Sequence, residues 1–164
     1  VAEALSGDAD LVVTVGGISG GKRDFIPQAL ANHGVKTIVK GVQIQPGKPM
    51  YVGRNEETLV MGLPGNPVSA LVCSTLFGLP IVRTLQGMNA QLPWQTMALS
   101  RDIQPNPHRT MFRPCTHEDG VVSVPQWQGS GDLSHTANTI GLVKIPQSEA
   151  MLLAESKVEY ISFE

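Results

Sequence analysis

The amino-acid sequence predicts an α/β layer with a largely parallel sheet, followed by a small β-barrel or sandwich. Three observations carry this expectation. Over residues 1–88, short apolar strands alternate with glycine-rich turns and helical patterns. Around residue 90 the run Met88-Asn89-Ala90-Gln91-Leu92-Pro93 has the composition of a linker. Over residues 92–164, five or so short alternating runs recur between turn signals such as Glu118-Asp119-Gly120.

Taken in order, Asp10-Leu11-Val12-Val13-Thr14-Val15 reads as a buried strand that runs into Gly16-Gly17-Ile18-Ser19-Gly20-Gly21. Residues 25–32 read as a helix, with Asp24 as its N-cap, Pro27 in the first turn and Gly34 near the C-terminus. Short β segments follow around Thr37-Ile38-Val39, Val42-Gln43-Ile44, Met50-Tyr51-Val52 and Thr58-Leu59-Val60-Met61. The clearest helix has Pro67 at its first position and an apolar stripe of Val68, Leu71, Val72, Thr75, Leu76 and Leu79. Gly78-Leu79-Pro80 should kink it before it ends near Gly87. In the second part the runs at 97–99, 111–113, 121–124, 142–145 and 151–153 are the expected strands.

Composition narrows the function classes. With 164 residues, 41% hydrophobic and 16% charged, the chain is globular and long enough for one medium domain or two small ones. A formal charge of −2 argues against a nucleic-acid partner, which calls for a basic face. It leaves room for an anionic substrate held locally by backbone amides and one or two lysines. Cys73 and Cys115 stand alone, so they read as buried thiols, one in a helix and one in a strand, suited to a reducing cytoplasm. No stretch approaches the roughly 18 apolar residues of a membrane helix, and Val1 opens onto Ala-Glu-Ala-Leu rather than onto a signal peptide.

Two loops carry the chemistry. A strand ending in Gly16-Gly17-Ile18-Ser19-Gly20 before a helix places backbone N–H groups at the carboxyl edge of the sheet, where an anion is favoured. Its spacing matches neither a Walker A loop nor a dinucleotide fingerprint, and a merely tight turn is the plain alternative. The second loop, Gly62-Leu63-Pro64-Gly65-Asn66-Pro67-Val68-Ser69-Ala70, also follows a strand and opens a helix. Its prolines stiffen it, Gly65 permits close approach and Asn66 stands at the N-cap; an ordinary capped helix start reads the same way. Pro46-Gly47-Lys48-Pro49 can add Lys48 as a point charge. Asp24 is open between cap and cation or substrate contact. His33, His108, His117 and His135 show no ligand spacing and read as surface residues, and Trp94 and Trp127 as covers of core edges.

In the same order, Gly16-Gly17-Ile18-Ser19 with Asp24-Phe25, Pro46-Gly47-Lys48-Pro49, and the nine residues 62–70 resemble the MoeA family of molybdopterin molybdenumtransferases. Arg109-Thr110-Met111-Phe112-Arg113, Gly129-Ser130-Gly131-Asp132-Leu133, Asn138 and Gly141-Leu142 resemble its C-terminal barrel, so nearly the whole chain is covered, as the C-terminal half of such a protein. The resemblance implies a partial three-layer α/β molybdopterin-binding domain and a small β-barrel domain. It implies a cytoplasmic homodimer that inserts molybdate into adenylated molybdopterin, releasing AMP with help from Mg2+. It assigns Gly16, Gly17, Ser19, Gly20, Lys48, Pro64, Gly65, Asn66, Pro67 and Ser69 to the pterin and molybdate. Asp24 and Lys48 become the catalytic candidates, Asp24 also the metal ligand, and a MogA-type adenylyltransferase a further partner.

The chain departs from the family pattern at three places: Lys22 stands at a usually acidic position, Gln45 at a commonly basic one, and Val15 at a common serine. Lys22 motivates a second class of function, a non-catalytic molybdopterin-binding homologue. Arg23-Asp24-Phe25-Ile26-Pro27-Gln28-Ala29 is also similar to the MogA-type molybdopterin adenylyltransferases, which catalyse the preceding adenylation and lack the β domain.

Overall fold

The computed structural model describes residues 1–21, 24–127 and 133–163. Lys22, Arg23 and residues 128–132 of the Gly-Ser-Gly-Asp motif lie outside the described residues. The chain divides into two compact units, one of residues 1–42 and 47–90, the other of 43–46 and 91–164.

The first unit begins with α1 (Ala2–Leu5) and β1 (Leu11–Val15), followed by α2 (Ile26–Asn32) and β2 (Lys36–Lys40). The short β3 (Ile44–Gln45) departs to the second unit, and β4 (Tyr51–Arg54) and β5 (Leu59–Leu63) return to the first. Its sheet runs β1-β5-β4-β2, with β1 parallel to β5 and the pairs β5–β4 and β4–β2 antiparallel. The sheet is therefore mixed rather than largely parallel. The reason is local: four residues join β4 to β5, too few for a crossover, and Asn55 closes them by accepting from the backbone N–H of Glu57 (3.0 Å) and Thr58 (2.6 Å).

Period-two alternation sends Val60 and Met61 of β5 to opposite faces. Val60 joins Leu30, Val35, Tyr51 and Ile18 in a buried cluster flanked by Ile26 and Val12, so α2 covers that face. On the other face Gly78 closes on Met61, whose Sδ would lie 3.5 Å from a Cβ at that glycine. Helices on both faces make three layers.

The second helical layer is the run Pro67–Leu85, made of α3 (Pro67–Cys73), a π turn (Ser74–Gly78) and α4 (Leu79–Leu85). The π turn stands just before Pro80, which lacks an N–H to donate back, so the strain expected at Gly78-Leu79-Pro80 is absorbed as a widened turn. At 19 residues the run is long and apolar enough to cross a membrane by length and composition, contrary to the sequence expectation. Interspersed Ser, Thr and Gly hide this from a search for unbroken apolar residues. Here Val68, Val72, Cys73 and Leu76 are buried, while Leu79, Val82 and Leu85 toward its end are exposed.

The second unit contains β6 (Gln95–Leu99), β7 (Thr110–Glu118), β8 (Val121–Ser123), β9 (Gly141–Ile145) and β10 (Lys157–Ser162). The order β7-β8-β6-β10-β9 closes on itself through β9–β7 pairing, giving a five-stranded barrel with no open edge among these strands. β3 adds in parallel to the start of β7, so the segment around residue 44 belongs to this unit. Met97, Leu99, Met111, Cys115, Val122, Val143, Ile145, Val158 and Tyr160 fill the interior. The run at 151–153 is not a strand but a single bridge, Ile103 to Leu152.

Both thiols are free and buried, and burial pushes each up to about 12. Each lies 3.6 Å from a carbonyl oxygen, Cys73 from Gly47 and Cys115 from Gly141. Neither should react with iodoacetamide at pH 8 in the native chain, while both should after unfolding, as read by mass spectrometry. Gly141 has no room for a methyl: a Cβ there would stand 2.5 Å from the Tyr160 ring and collide with the Ile161 carbonyl oxygen. Gly141→Ala should cost about 2–3 kcal/mol in denaturant unfolding.

Candidate functional site

Strand directions bring the expected loops to one edge. β1 and β5 are parallel and in register, Val15 beside Leu63, so the segments that follow them leave the sheet side by side. β4 runs the other way, with Tyr51 opposite Gly62, so the turn before it, containing Lys48, lies at the same edge. Gly16 extends the parallel pairing by one bond, its N–H donating to the Leu63 carbonyl at 2.8 Å. Just beyond, Gly16 and Gly65 pack backbone on backbone: a Cβ on Gly65 would lie 3.5 Å from the Gly16 Cα.

Left-handed backbone at Gly16 (φ 82°), Gly17 (φ 69°) and Gly20 (φ 89°) curls the first loop. Buried Ile18 anchors it to the core, 4% exposed. Its amides are not all open to a ligand. The Asp24 carboxylate turns back into the loop and accepts from the Ser19 hydroxyl at 2.7 Å and the Gly21 N–H at 2.5 Å. Asp24 is thus not the N-cap of α2; Phe25 holds that position with no side-chain cap. The carboxylate instead occupies the amide-rich concavity that an anion would take. The Ser19 hydroxyl, then the Gly21 N–H, hold its pKa below the ordinary aspartate range, despite a small opposing effect of burial.

The second loop is built for rigidity. Pro64 is buried while Gly65 is exposed, and Pro67 begins α3. Asn66 is the N-cap, its Oδ1 accepting from the Ser69 N–H (3.0 Å) and from the Ser69 hydroxyl (3.3 Å). Lys48 is exposed and makes no hydrogen bond or ion pair among the described residues, although its own carbonyl accepts from Val42 N–H at 2.9 Å. The structure therefore joins Gly16 to Gly65, Ser19 to Asp24, and Asn66 to Ser69. It brings Lys48 to their edge by its backbone alone.

Thr14 was not singled out from the sequence. Its hydroxyl is buried one residue before the end of β1, with no hydrogen-bond partner among the described residues, and 3.5 Å from where a Gly62 Cβ would stand. A polar residue within an apolar strand, next to a glycine loop, was the available signal. Of the histidines, His33, His108 and His117 are exposed, but His135 is buried (8% exposed), its ring 6.0 Å from that of Trp127. Among the described residues no group of three or more His, Cys, Asp or Glu gathers to hold a metal. A cavity of about 650 Å³ lies at the opposite edge of the sheet, lined by residues including His33, Lys36 and Arg54. It contains none of the loop residues, and the loops, which carry the ordered amides and hydroxyls, are the better candidate.

The chain thus combines a mixed α/β unit, with two glycine loops converging at its carboxyl edge, and a second unit that is a closed small barrel. Residues 1–84 match the family described as "Probable molybdopterin binding domain". Residues 96–163 match the "MoeA C-terminal region (domain IV)". The chain belongs to the molybdopterin-binding domain family and is of the MoeA type. It is 32% identical over 162 residues to molybdopterin molybdenumtransferase 2 of Mycobacterium tuberculosis (strain CDC 1551 / Oshkosh), covering 93% of this chain and 40% of that protein. To the molybdopterin molybdenumtransferase of Synechococcus elongatus it is 30% identical over 151 residues, covering 91% and 37%. The crystal structure of a MoeA molybdopterin biosynthesis protein from Pyrococcus horikoshii superposes with a TM-score of 0.75 at 28% identity, over 94% of this chain and 37% of that one. The chain thus spans about 40% of the length of the relatives it matches.

Because the folded pKa of Asp24 lies below its unfolded value, ionised Asp24 favours the folded loop above the unfolded pKa. That contribution fades as pH falls through the folded pKa. Ser19→Ala should move the Asp24 titration upward, toward the ordinary aspartate value, in carboxyl-carbon NMR. An unmoved titration would show that the hydroxyl is not its main cause.

Proposed function

We propose that this chain is part of a molybdopterin molybdenumtransferase, which inserts molybdate into adenylated molybdopterin and releases AMP. The observation that carries the reading is the meeting of the two glycine loops, Gly16 against Gly65, at the carboxyl edge of the parallel pair. Phosphates and an oxyanion need amide donors held in place before they arrive, and a stiff backbone supplies them without reorganisation. Gly16, Gly17 and Gly20 let the ligand approach the first loop; Pro64, Gly65 and Pro67 fix the second. Asn66 and Ser69 present polar side chains, and Lys48 adds an unpaired positive charge at the same edge.

Asp24 would hold Mg2+. The described residues offer no dedicated cage, which suits an ion that keeps several waters and binds through one carboxylate and the substrate's phosphates. When bound, the ion would neutralise charge on the phosphates. One oxygen of Asp24 is already taken by Ser19 and Gly21, so those two residues orient the carboxylate for that task. The free buried thiols support a cytoplasmic setting, and we propose a homodimer as the working assembly and a MogA-type adenylyltransferase as the source of its substrate. The match of residues 96–163 to the MoeA C-terminal region weighs against the adenylyltransferase reading of the chain itself.

The full-length protein with magnesium should release AMP from adenylated molybdopterin only when molybdate is present. Lys48→Ala should slow that release roughly tenfold or more, as expected for loss of one charge near the transferring group. Tight binding without release would favour a non-catalytic homologue. Adenylation of molybdopterin from ATP would favour the adenylyltransferase.

A further inference from the structure

The barrel unit has a cavity of about 340 Å³ that the proposed reaction does not use. Two arginines line it, Arg101 and Arg113, together with Trp127 and Asp102. Arg113, on β7, is half-buried and its guanidinium stacks over the Trp127 ring, 4.6 Å from the centroid. It donates no hydrogen bond and makes no ion pair among the described residues. Burial, and secondarily the like charge of Arg101, lower its pKa. Arg101 donates one N–H to the Val124 carbonyl oxygen, leaving the rest of its fork unused. The Trp127 indole N–H is buried and has no hydrogen-bond partner among the described residues.

These facts have one physical consequence. Two cations lining one cavity repel, and the ring stack of the half-buried Arg113 leaves its N–H donors without an acceptor among the described residues. Asp102 does not resolve this, since its Oδ1 accepts from the Ala154 N–H at 2.7 Å and it makes no ion pair with either arginine. A structural stack alone accounts for the ring contact but not for the second arginine lining the same cavity.

We propose that this cavity is an anion-binding site for a phosphoryl group, held by the guanidinium forks of Arg101 and Arg113 beside the Trp127 ring. A phosphoryl group fits better than a carboxylate because its three terminal oxygens can each meet a separate donor, and Arg forks match it bidentately. All the residues that line the site belong to the barrel unit.

Trp127 reports on its own site. In the full chain carrying Trp94→Phe, inorganic phosphate at constant ionic strength should change Trp127 emission along a saturable curve, with matching line broadening in phosphorus NMR. Arg101→Gln and Arg113→Gln should each weaken the apparent affinity roughly tenfold or more, and Arg101→Lys should lose part of it. Acetate should bind at least about tenfold more weakly than phosphate. If Arg113→Gln disturbs the stacked ring or fails to fold, Arg101→Gln decides, because it leaves that stack in place. A response to phosphate that never saturates, or that Arg101→Gln leaves unchanged, would overturn the site. Equal saturation by acetate would overturn its phosphoryl assignment.

Discussion

Two stretches of backbone meet at Gly16 and Gly65, at the end of the parallel strand pair, and the candidate site depends on that contact. The parallel pair β1–β5 delivers both chains to the same edge in register, and the Gly16-to-Leu63 hydrogen bond carries the pairing one step past the strand ends. A Cβ at position 65 would stand 3.5 Å from the Gly16 Cα, in ordinary contact, whereas Gly16 holds a left-handed backbone (φ 82°) that a side chain would strain. The rest follows outward. Ile18 pins the first loop to the core, Pro64 and Pro67 stiffen the second, and Asn66 turns it into a helix. The loops act as one rigid edge because each restricts the other.

Asp24 shows how such an edge behaves before a ligand arrives. A loop rich in amides and a hydroxyl attracts negative charge, and the nearest carboxylate in the chain supplies it. The same hydrogen bonds that lower the pKa of Asp24 orient Ser19 and Gly21, so the loop is already shaped around an oxyanion. On the function proposed above, a substrate phosphate would either displace the carboxylate or share it through a cation. The second route retains the ordered loop and leaves one carboxylate oxygen for the cation.

Much of this was legible in the residues. The two glycine loops, the capping role of Asn66, the break near Gly78 to Pro80 and the alternating strands of the barrel all follow from rules local in sequence. What was not legible depends on distant partners. Asp24 precedes a helix and has the chemistry of an N-cap, yet Ser19 and Gly21 outcompete the helix amides for it. The residues around Ile44 look like another strand of the first sheet but pair with β7, more than sixty positions on. Strand polarity is hidden in the same way: the antiparallel course of β4 depends on a turn at Asn55 whose length, not its apolar pattern, sets direction. His135 reads as a polar surface residue, yet it is buried, with its ring 6.0 Å from that of Trp127.

The chain uses two physical routes to negative charge. At the glycine loops the donors are backbone amides and a hydroxyl, which are neutral, fixed by the fold and satisfied in part by Asp24. Little energy is stored there, and specificity comes from shape. In the barrel the donors are two guanidinium groups that line one cavity, Arg101 exposed and Arg113 half-buried against Trp127. There the cost is already present in the folded chain, and an anion would relieve it. With a formal charge of only −2 spread over 164 residues, neither route depends on the overall field of the molecule. Each is a local arrangement, and this explains how a slightly acidic chain can present two surfaces suited to anions.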